Sequence, residues 1–343
     1  MNLSEQGRQA LDLHFVNTAR AFGVQPGNPS AGQHYAATPS VAQTIYNKVV
    51  EDGNQFLRLI NAAVMVGEIK GEKVGLELTG RVASRTDTNG AGERTPKHLS
   101  NTDPKGYELF PTQFDVALKY SKIDSWAKFP DFAERYIRLV RQAMGNDMLT
   151  VGWHGTSAAG TTNLGSNPNL EDLNIGWLQI LRDFNSGSQH YAASASELVL
   201  GSGDAKNLDV LVHEAKMMLP VYHRNRDDLV ALVSGDLLSA QEETYYEVNG
   251  NTPTEKAMLS GRITRAYGGL PTITPPFFPS GIVKVTPLSN LSIYIQDSSI
   301  RRIQKDKPEK DEVQDFNSAN QGYVVEDEEM AAFIEGIELP PAA

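Results

Sequence analysis

Alternating apolar and polar positions predict two strands at the ends of a long central segment, residues 67–125. Every second side chain between residues 113 and 120, from Phe114 to Tyr120, is apolar and would lie on one face of an extended strand. Residues 73–79 alternate in the same way. We therefore expect these two runs to pair as the legs of an antiparallel ribbon.

The connection between the two predicted strands, residues 80–112, contains few large apolar side chains. It is rich in Gly, Thr, Ser, Asn, Asp and Lys, with turn signals at Asn89-Gly90 and Asp103-Pro104. Connections longer than about 15 residues are uncommon inside compact domains, and an isolated ribbon is marginal in water. The residues alone leave two interpretations, a disordered surface loop or an arm that becomes ordered on a neighbouring subunit.

The first 22 residues predict an amphipathic helix that Gly23 ends. Leu11, Phe15, Ala19 and Phe22 recur at spacings of three and four. Residues 26–32 follow with the Pro, Gly, Asn and Ser composition of a flexible linker. The segment is either a frayed terminus or a partner-binding helix that can be cut away.

Further periodic segments predict a mixed α and β protein. A second helical pattern begins at Thr38-Pro39 and runs to Ile60, interrupted near Gly53. A third begins at Pro130 and runs to about residue 153, long enough for a rod of roughly 30 Å. Shorter patterns predict helices at 170–184 and 208–219 and strands at 228–233, 282–285, 291–295, 322–325 and 332–337.

Composition excludes several classes of function without identifying the function itself. The chain has 343 residues, 40% hydrophobic and 21% charged, which is typical of a globular protein. The absence of cysteine excludes disulfides, thiolate metal sites and cysteine nucleophiles. No apolar run predicts a membrane span or a secretion signal. The net charge of -11 argues against tight wrapping of nucleic acid, because phosphate binding depends on clustered Lys and Arg.

We found no catalytic, cofactor-binding or metal-binding constellation. None of the seven histidines has the spacing of a helical zinc site, and residues 201–206 lack the ending of a phosphate-binding loop. Ser234-Gly235 lacks the glycine that a nucleophile elbow needs, so a hydrolase is disfavoured. We expect the acidic run 326–329 to be a solvated face and residues 301–312 to form a mixed-charge ribbon.

Nine short stretches, taken in order, resemble a known family over nearly the whole chain. The chain is similar to the major capsid proteins of peduovirus-type tailed phages, which have the Hong Kong 97 capsid fold. The resembling stretches are residues 39–44, 71–75, 86–88, 93–94, 166–170, 210–212, 288–294, 301–302 and 323–327.

The resemblance implies an α+β fold of the Hong Kong 97 type, with an N-terminal arm, an extended β-hairpin loop, a peripheral domain with a long spine helix, and an axial domain. The implied divisions are 1–35 (helix and linker), 36–66 (arm), 67–125 (extended loop), 126–174 (peripheral domain with the spine), 175–287 (axial domain) and 288–343 (return to the peripheral domain and final strands).

The resemblance also implies which residues touch neighbouring subunits. It favours the second interpretation of the central segment, as an arm on the adjacent subunit. The expected contact residues are Arg85, Thr86, Asp87, Asn89, Glu93, Arg94 and Lys97. Relatives lose an N-terminal segment to a prohead protease, and Tyr35-Ala36 is the hypothesised cleavage position here.

The implied function is structural and not enzymatic, and it requires no cofactor. Subunits would form pentamers and hexamers of an icosahedral head around double-stranded DNA, without sequence-specific binding. Expected partners are the chain itself, a scaffolding protein, the prohead protease and the portal protein, with assembly in the host cytoplasm and no membrane. The acidic balance suits a shell that a motor fills after assembly. An encapsulin-like cellular compartment is the alternative.

Overall fold

The computed structural model describes residues 4–25, 33–73, 83, 85–86, 93, 105–127, 129, 131–194, 197–201, 206–241 and 266–339. The α-helices in these residues are Glu5–Ala21 (α1), Pro39–Asp52 (α2), Tyr120–Trp126 (α3), Phe132–His154 (α4), Trp177–Asp183 (α5) and Leu208–Met218 (α6). The strands are Gln33–Ala36 (β1), Asn61–Val66 (β2), Lys70–Lys73 (β3), Lys105–Glu108 (β4), Phe110–Gln113 (β5), Val116–Lys119 (β6), His190–Ala192 (β7), Leu229–Val233 (β8), Ala266–Tyr267 (β9), Leu270–Ile273 (β10), Val283–Pro287 (β11), Leu291–Gln296 (β12), Arg301–Lys307 (β13), Glu312–Val325 (β14) and Ala332–Glu335 (β15).

The first sheet is built around the long strand β14. Its strand order is β1-β13-β14-β12-β2, and β5 and β6 also pair with β14. All of these pairs are antiparallel except β12 with β2. Helices α2, α4 and α5 pack on the sheet, and buried Trp177 of α5 donates a hydrogen bond to the Ser292 carbonyl at 3.0 Å. This bond satisfies the indole N–H inside the core.

The second sheet has the order β7-β15-β11-β8-β10-β9. Helix α6 covers one of its faces, where Leu211 and Val212 pack with Val283 and Val285 of β11. Because side chains alternate along a strand, Lys284 between those valines points to the opposite face. That face meets the end of α4.

Helix α4 joins the two sheets. Its 23 residues make a rod of about 34 Å, as the helical pattern from Pro130 predicts. Trp153, near its C-terminal end, contacts the Trp177 ring at 4.8 Å and the Phe278 ring at 4.9 Å. Gly152 must be small there, because a Cβ atom would overlap the Trp177 ring. The spine therefore ends in an aromatic cluster shared by both halves of the protein.

Several expectations from the sequence are confirmed. Helices α1, α2, α4 and α6 lie where the apolar periodicity predicts them. Strands β8, β11, β12 and β15 match four predicted runs within about three residues, and the predicted strand 322–325 is the end of β14.

Other expectations are wrong. The expected pairing of residues 113–120 with 73–79 is not seen among the described residues, and residues 74–79 lie outside them. Strand β6 pairs with β14, with Leu118 opposite Val313, and β3 pairs with β4. The helix predicted at 170–184 is only seven residues long, because residues 170–176 form turns. By contrast, the mixed-charge ribbon expected at residues 301–312 is confirmed, since these residues belong to the β13–β14 hairpin of the first sheet.

Candidate assembly surfaces

The base of the extended loop is fixed to its own subunit. Strands β3 and β4 pair over four residues, and the Tyr107 ring meets the Tyr294 ring edge-on at 5.0 Å. The Nζ atom of Lys73 donates to the Val325 carbonyl at 2.5 Å and to Oε1 of Glu328 at 2.7 Å. These contacts hold β3 and β4, the strands on either side of residues 74–104, against the first sheet.

The predicted contact residues of the loop are only partly placed. Arg85, Thr86 and Glu93 are exposed and belong to no regular element. The other four predicted contact residues lie outside the described residues, and they are Asp87, Asn89, Arg94 and Lys97. The neighbour contacts of all seven stay a prediction.

Helix α1 is docked on the body of the subunit. Ser4 caps the helix by accepting from the Gly7 N–H, and its backbone N–H donates to Oδ1 of Asp124 in α3 at 3.0 Å. The buried cluster beneath the helix is formed by Leu11, Phe15, Tyr120, Ile123, Phe132 and Val313. The frayed-terminus interpretation is therefore wrong for residues 5–21.

A buried polar cluster lies under the middle of α1. The side-chain amide of Gln304 lies 3.0 Å from Nε2 of His14, and Nδ1 of His14 has no hydrogen-bond partner among the described residues. Arg302 makes a two-point contact with Asp315 beside it, with Nε at 2.8 Å from Oδ1. Burial, followed by the Arg302 cation, lowers the pKa of His14 to about 4. His14 is therefore neutral at pH 7.

The hypothesised cleavage position lies in β1, at the edge of the first sheet. Tyr35 pairs with Arg302 and Ala36 with Arg301 in the β1–β13 ladder. The Tyr35 side chain is 2% exposed, and its hydroxyl donates to Oε1 of Gln304 at 3.4 Å. A protease needs an extended, accessible backbone, so cutting here requires β1 to separate from β13.

The acidic run 326–329 is not the solvated face that the sequence predicts. Glu328 is only 6% exposed, and its carboxylate accepts a hydrogen bond from Nζ of Lys73. Both carboxylate oxygens of Glu326 accept from the Tyr294 hydroxyl at 3.0 Å. The Asp327 backbone is held from both sides by the Asn290 side-chain amide. The run is a structural junction at the end of β14.

The junction between α4 and the second sheet contains a buried lysine. Lys284 is 0% exposed, its Nζ lies 5.5 Å from the centre of the Trp153 ring, and it has no hydrogen-bond partner among the residues described. Burial, and then the nearby Arg182, lowers the pKa of Lys284 to about 7. Although burial raises the pKa of Glu335, hydrogen bonds from His190 and Arg182 lower it to about 2.

The described residues contain no group of three or more His, Asp or Glu side chains placed to hold a metal ion. Two of the histidines serve as local contacts, since His154 lies 3.0 Å from the Phe277 carbonyl and His190 lies 2.7 Å from Glu335. Among the helices described, none is long and apolar enough to cross a membrane. The described residues provide surfaces through which subunits can contact one another.

Comparison with known proteins agrees with this geometry. The family model described as phage major capsid protein, P2 family, matches residues 13–337. The chain is 32% identical to the capsid protein of Escherichia phage P2, covering 98% of this chain and 96% of the relative. It is 29% identical to the major capsid protein of Serratia phage KSP20, covering 96% of each.

Solved structures show the same relationship. A chain of the satellite phage P4 procapsid, solved with its size determination (Sid) protein, matches with a TM-score of 0.75 and 31% identity, over 98% of this chain and 99% of that chain. A capsid chain of cyanophage A-1(L) matches with a TM-score of 0.52 and 13% identity, over 83% of this chain and 93% of that chain. At that identity the second match concerns the fold alone.

Proposed function

Because the chain belongs to the P2 family of phage major capsid proteins, it is a structural subunit of an icosahedral virion shell, and we propose that its extended loop closes that shell by lying on the neighbouring subunit. The anchored base of the loop carries this proposal. Lys73 and the β3–β4 pair attach the strands that flank residues 74–104 to the subunit's own sheet. Arg85, Thr86 and Glu93 in between are exposed.

The two sheets correspond to the two proposed domains of the subunit. The first sheet and the spine α4 form the peripheral domain, and residues 175–287, with much of the second sheet, form the axial domain around five-fold and six-fold centres. Subunits form pentamers and hexamers there. The contact between Trp153 and Lys284 connects the two domains.

We also propose partners that act during assembly in the host cytoplasm. A scaffolding protein and a prohead protease act on the immature shell, and a portal protein occupies one vertex. The shell then receives double-stranded DNA, which a chain of net charge -11 does not bind tightly. Cleavage at Tyr35-Ala36 stays a proposal that requires β1 to leave β13 first. The encapsulin-like alternative loses its support, because the matching family consists of phage capsid proteins.

The experiment that tests the loop proposal compares two altered subunits. One lacks residues 85–101, and the other replaces them with a Gly and Ser linker of equal length. Both should fold, as judged by far-UV circular dichroism, because none of the buried residues of the described core comes from this segment. Neither should form closed shells under electron microscopy. Normal shells from the linker variant would refute the proposed role of the loop and leave family membership intact.

A further inference from the structure

A groove of about 580 Å³ runs between α3 and the first half of α4. Its less exposed apolar lining residues are Leu118, Phe132 and Tyr136, which we call its floor, and the exposed ones are Trp126 of α3 and Leu139 of α4. Trp126 is 46% exposed and Leu139 is 63% exposed. Large apolar side chains grouped at one exposed place are a feature of binding surfaces.

The groove is also basic. Among the described residues, its charged lining residues are Lys122, Arg135 and Arg138, with no carboxylate beside them in the lining. Arg135 is paired with Asp131 at 2.5 Å, whereas Lys122 and Arg138 have no ion pair among the described residues. Such a surface stands out in a chain of net charge -11. A partner that complements it carries negative charge.

We propose that this α3–α4 groove binds an amphipathic helix of a partner protein, with apolar side chains in one row and carboxylates beside them. Two neighbouring helices leave a groove into which the ridge of a third helix packs. The apolar row would cover Trp126 and Leu139, while the carboxylates pair with Lys122 and Arg138. The apolar floor disfavours nucleic acid, whose phosphates would gain nothing from Phe132.

The chain provides its own reporter for this site. It has three tryptophans, of which Trp153 and Trp177 are 1% and 0% exposed, so external quenchers reach Trp126. The probe is a synthetic helix of roughly 18 residues with leucines along one face and glutamates on both flanks. Binding to the full-length, unassembled subunit should shift the tryptophan emission to the blue and reduce acrylamide quenching. Trp126→Phe should remove that signal.

Matched variants separate the apolar and charged contributions. Leu139→Ser and the double variant Lys122→Glu with Arg138→Glu should each weaken binding by about tenfold or more. Met217→Ser and Lys48→Glu are the controls, since both residues are exposed on other helices and should leave binding unchanged. Raising the salt from about 50 to about 500 mM should weaken binding of the glutamate peptide.

Four outcomes would overturn the proposal. One is the absence of Trp126 protection by the glutamate peptide, and another is equal binding of its Glu-to-Lys analogue. A third is that a short single-stranded DNA binds more tightly than the glutamate peptide, and that its binding depends on Arg138 and not on Leu139. That result would indicate a nucleic-acid site. The fourth is peptide-free protection that grows with subunit concentration, which would indicate a second copy. The test uses unassembled subunits, so its failure is distinct from failure of shell closure.

Discussion

The Nζ atom of Lys73 lies 2.7 Å from Oε1 of Glu328, although the two residues are 255 positions apart. Their side chains are 12% and 7% exposed. The pair connects the first strand of the extended loop to the turn that follows β14. A loop that must reach a neighbour needs such a fixed base, because a free base would lose more conformational entropy on binding.

We expect Lys73→Met to destabilise the subunit by about 3 kcal/mol, since it leaves the Glu328 carboxylate buried without its cation. Adding Glu328→Met should restore most of the loss. The same hairpin provides a control in Lys70–Glu108, an exposed pair whose removal by Lys70→Met should cost under about 1 kcal/mol. Urea unfolding measures all of these, and equal losses for Lys73→Met and Lys70→Met would contradict the anchoring role.

Leu11→Asp and Phe15→Asp should release α1 from the body while leaving the main core folded. Each substitution places a carboxylate in the buried cluster with Tyr120 and Ile123. Burying an unpaired charge there costs several times RT in free energy. Leu13→Asp is the control, because Leu13 is 49% exposed on the same helix. Limited trypsin digestion should cut the first two variants faster at Arg8 and Arg20. If trypsin cut Leu13→Asp as fast as it cuts Leu11→Asp and Phe15→Asp, the buried cluster would not be what holds the helix.

Acid should weaken the docking of α1 through His14. The pKa of His14 is lowered to about 4 by burial, so between pH 6.5 and 4 the undocked state binds more protons than the docked state. Stability therefore falls as pH falls through this window, by about 3 kcal/mol in total. His14→Gln should remove this dependence, whereas His213→Gln, at an exposed position, should retain it.

The measurement is hydrogen exchange of the α1 amides, corrected for the intrinsic effect of pH. Protection in the unaltered subunit should fall between pH 6.5 and 4 more steeply than in His14→Gln. The same slope in both would show that His14 does not carry the effect.

Replacing Lys284 should stabilise the subunit near neutral pH. Burial lowers the pKa of Lys284 to about 7, so the folded state binds fewer protons than the unfolded state between pH 7 and 10.5. Stability is lost as pH falls across this window. Lys284→Met retains contact with Trp153 without a charge, and we expect a gain of about 2 to 4 kcal/mol at pH 7 that shrinks by pH 10.

Urea unfolding at pH 7 and pH 10 measures the gain, with Lys48→Met as an exposed control. A loss of stability at both values would mean that the ammonium group is satisfied in the folded protein.

The sequence predicted the elements whose signal is local. Helix α4 shows apolar positions at helical spacing, and α6 is preceded by Asn207, whose side chain caps it by accepting from the Val210 N–H. Both helices could be located from the apolar periodicity of their own sequence. The resemblance to a capsid family supplied the fold class, which the match to the procapsid chain supports.

The elements that were missed depend on distant partners. Strand β13 has charged residues on both faces, and its half-buried Arg302 is paired with Asp315 of β14, which neutralises its charge. From the sequence alone Glu328 reads as an exposed acidic residue, because its partner Lys73 is distant in the chain. No periodicity within a short window contains such information, because the compensating charge lies elsewhere in the chain.

Electron microscopy of the full chain, produced alone and with the scaffolding protein and protease of its own phage, tests the central claim most directly. Mass measurement of the N-terminus accompanies it. We predict closed icosahedral shells in the co-produced sample, with the loop of each subunit lying on its neighbour and the N-terminal segment shortened. Subunits that stay monomeric in both samples would contradict the assembly account, and shells with Met1 intact would contradict the cleavage proposal alone.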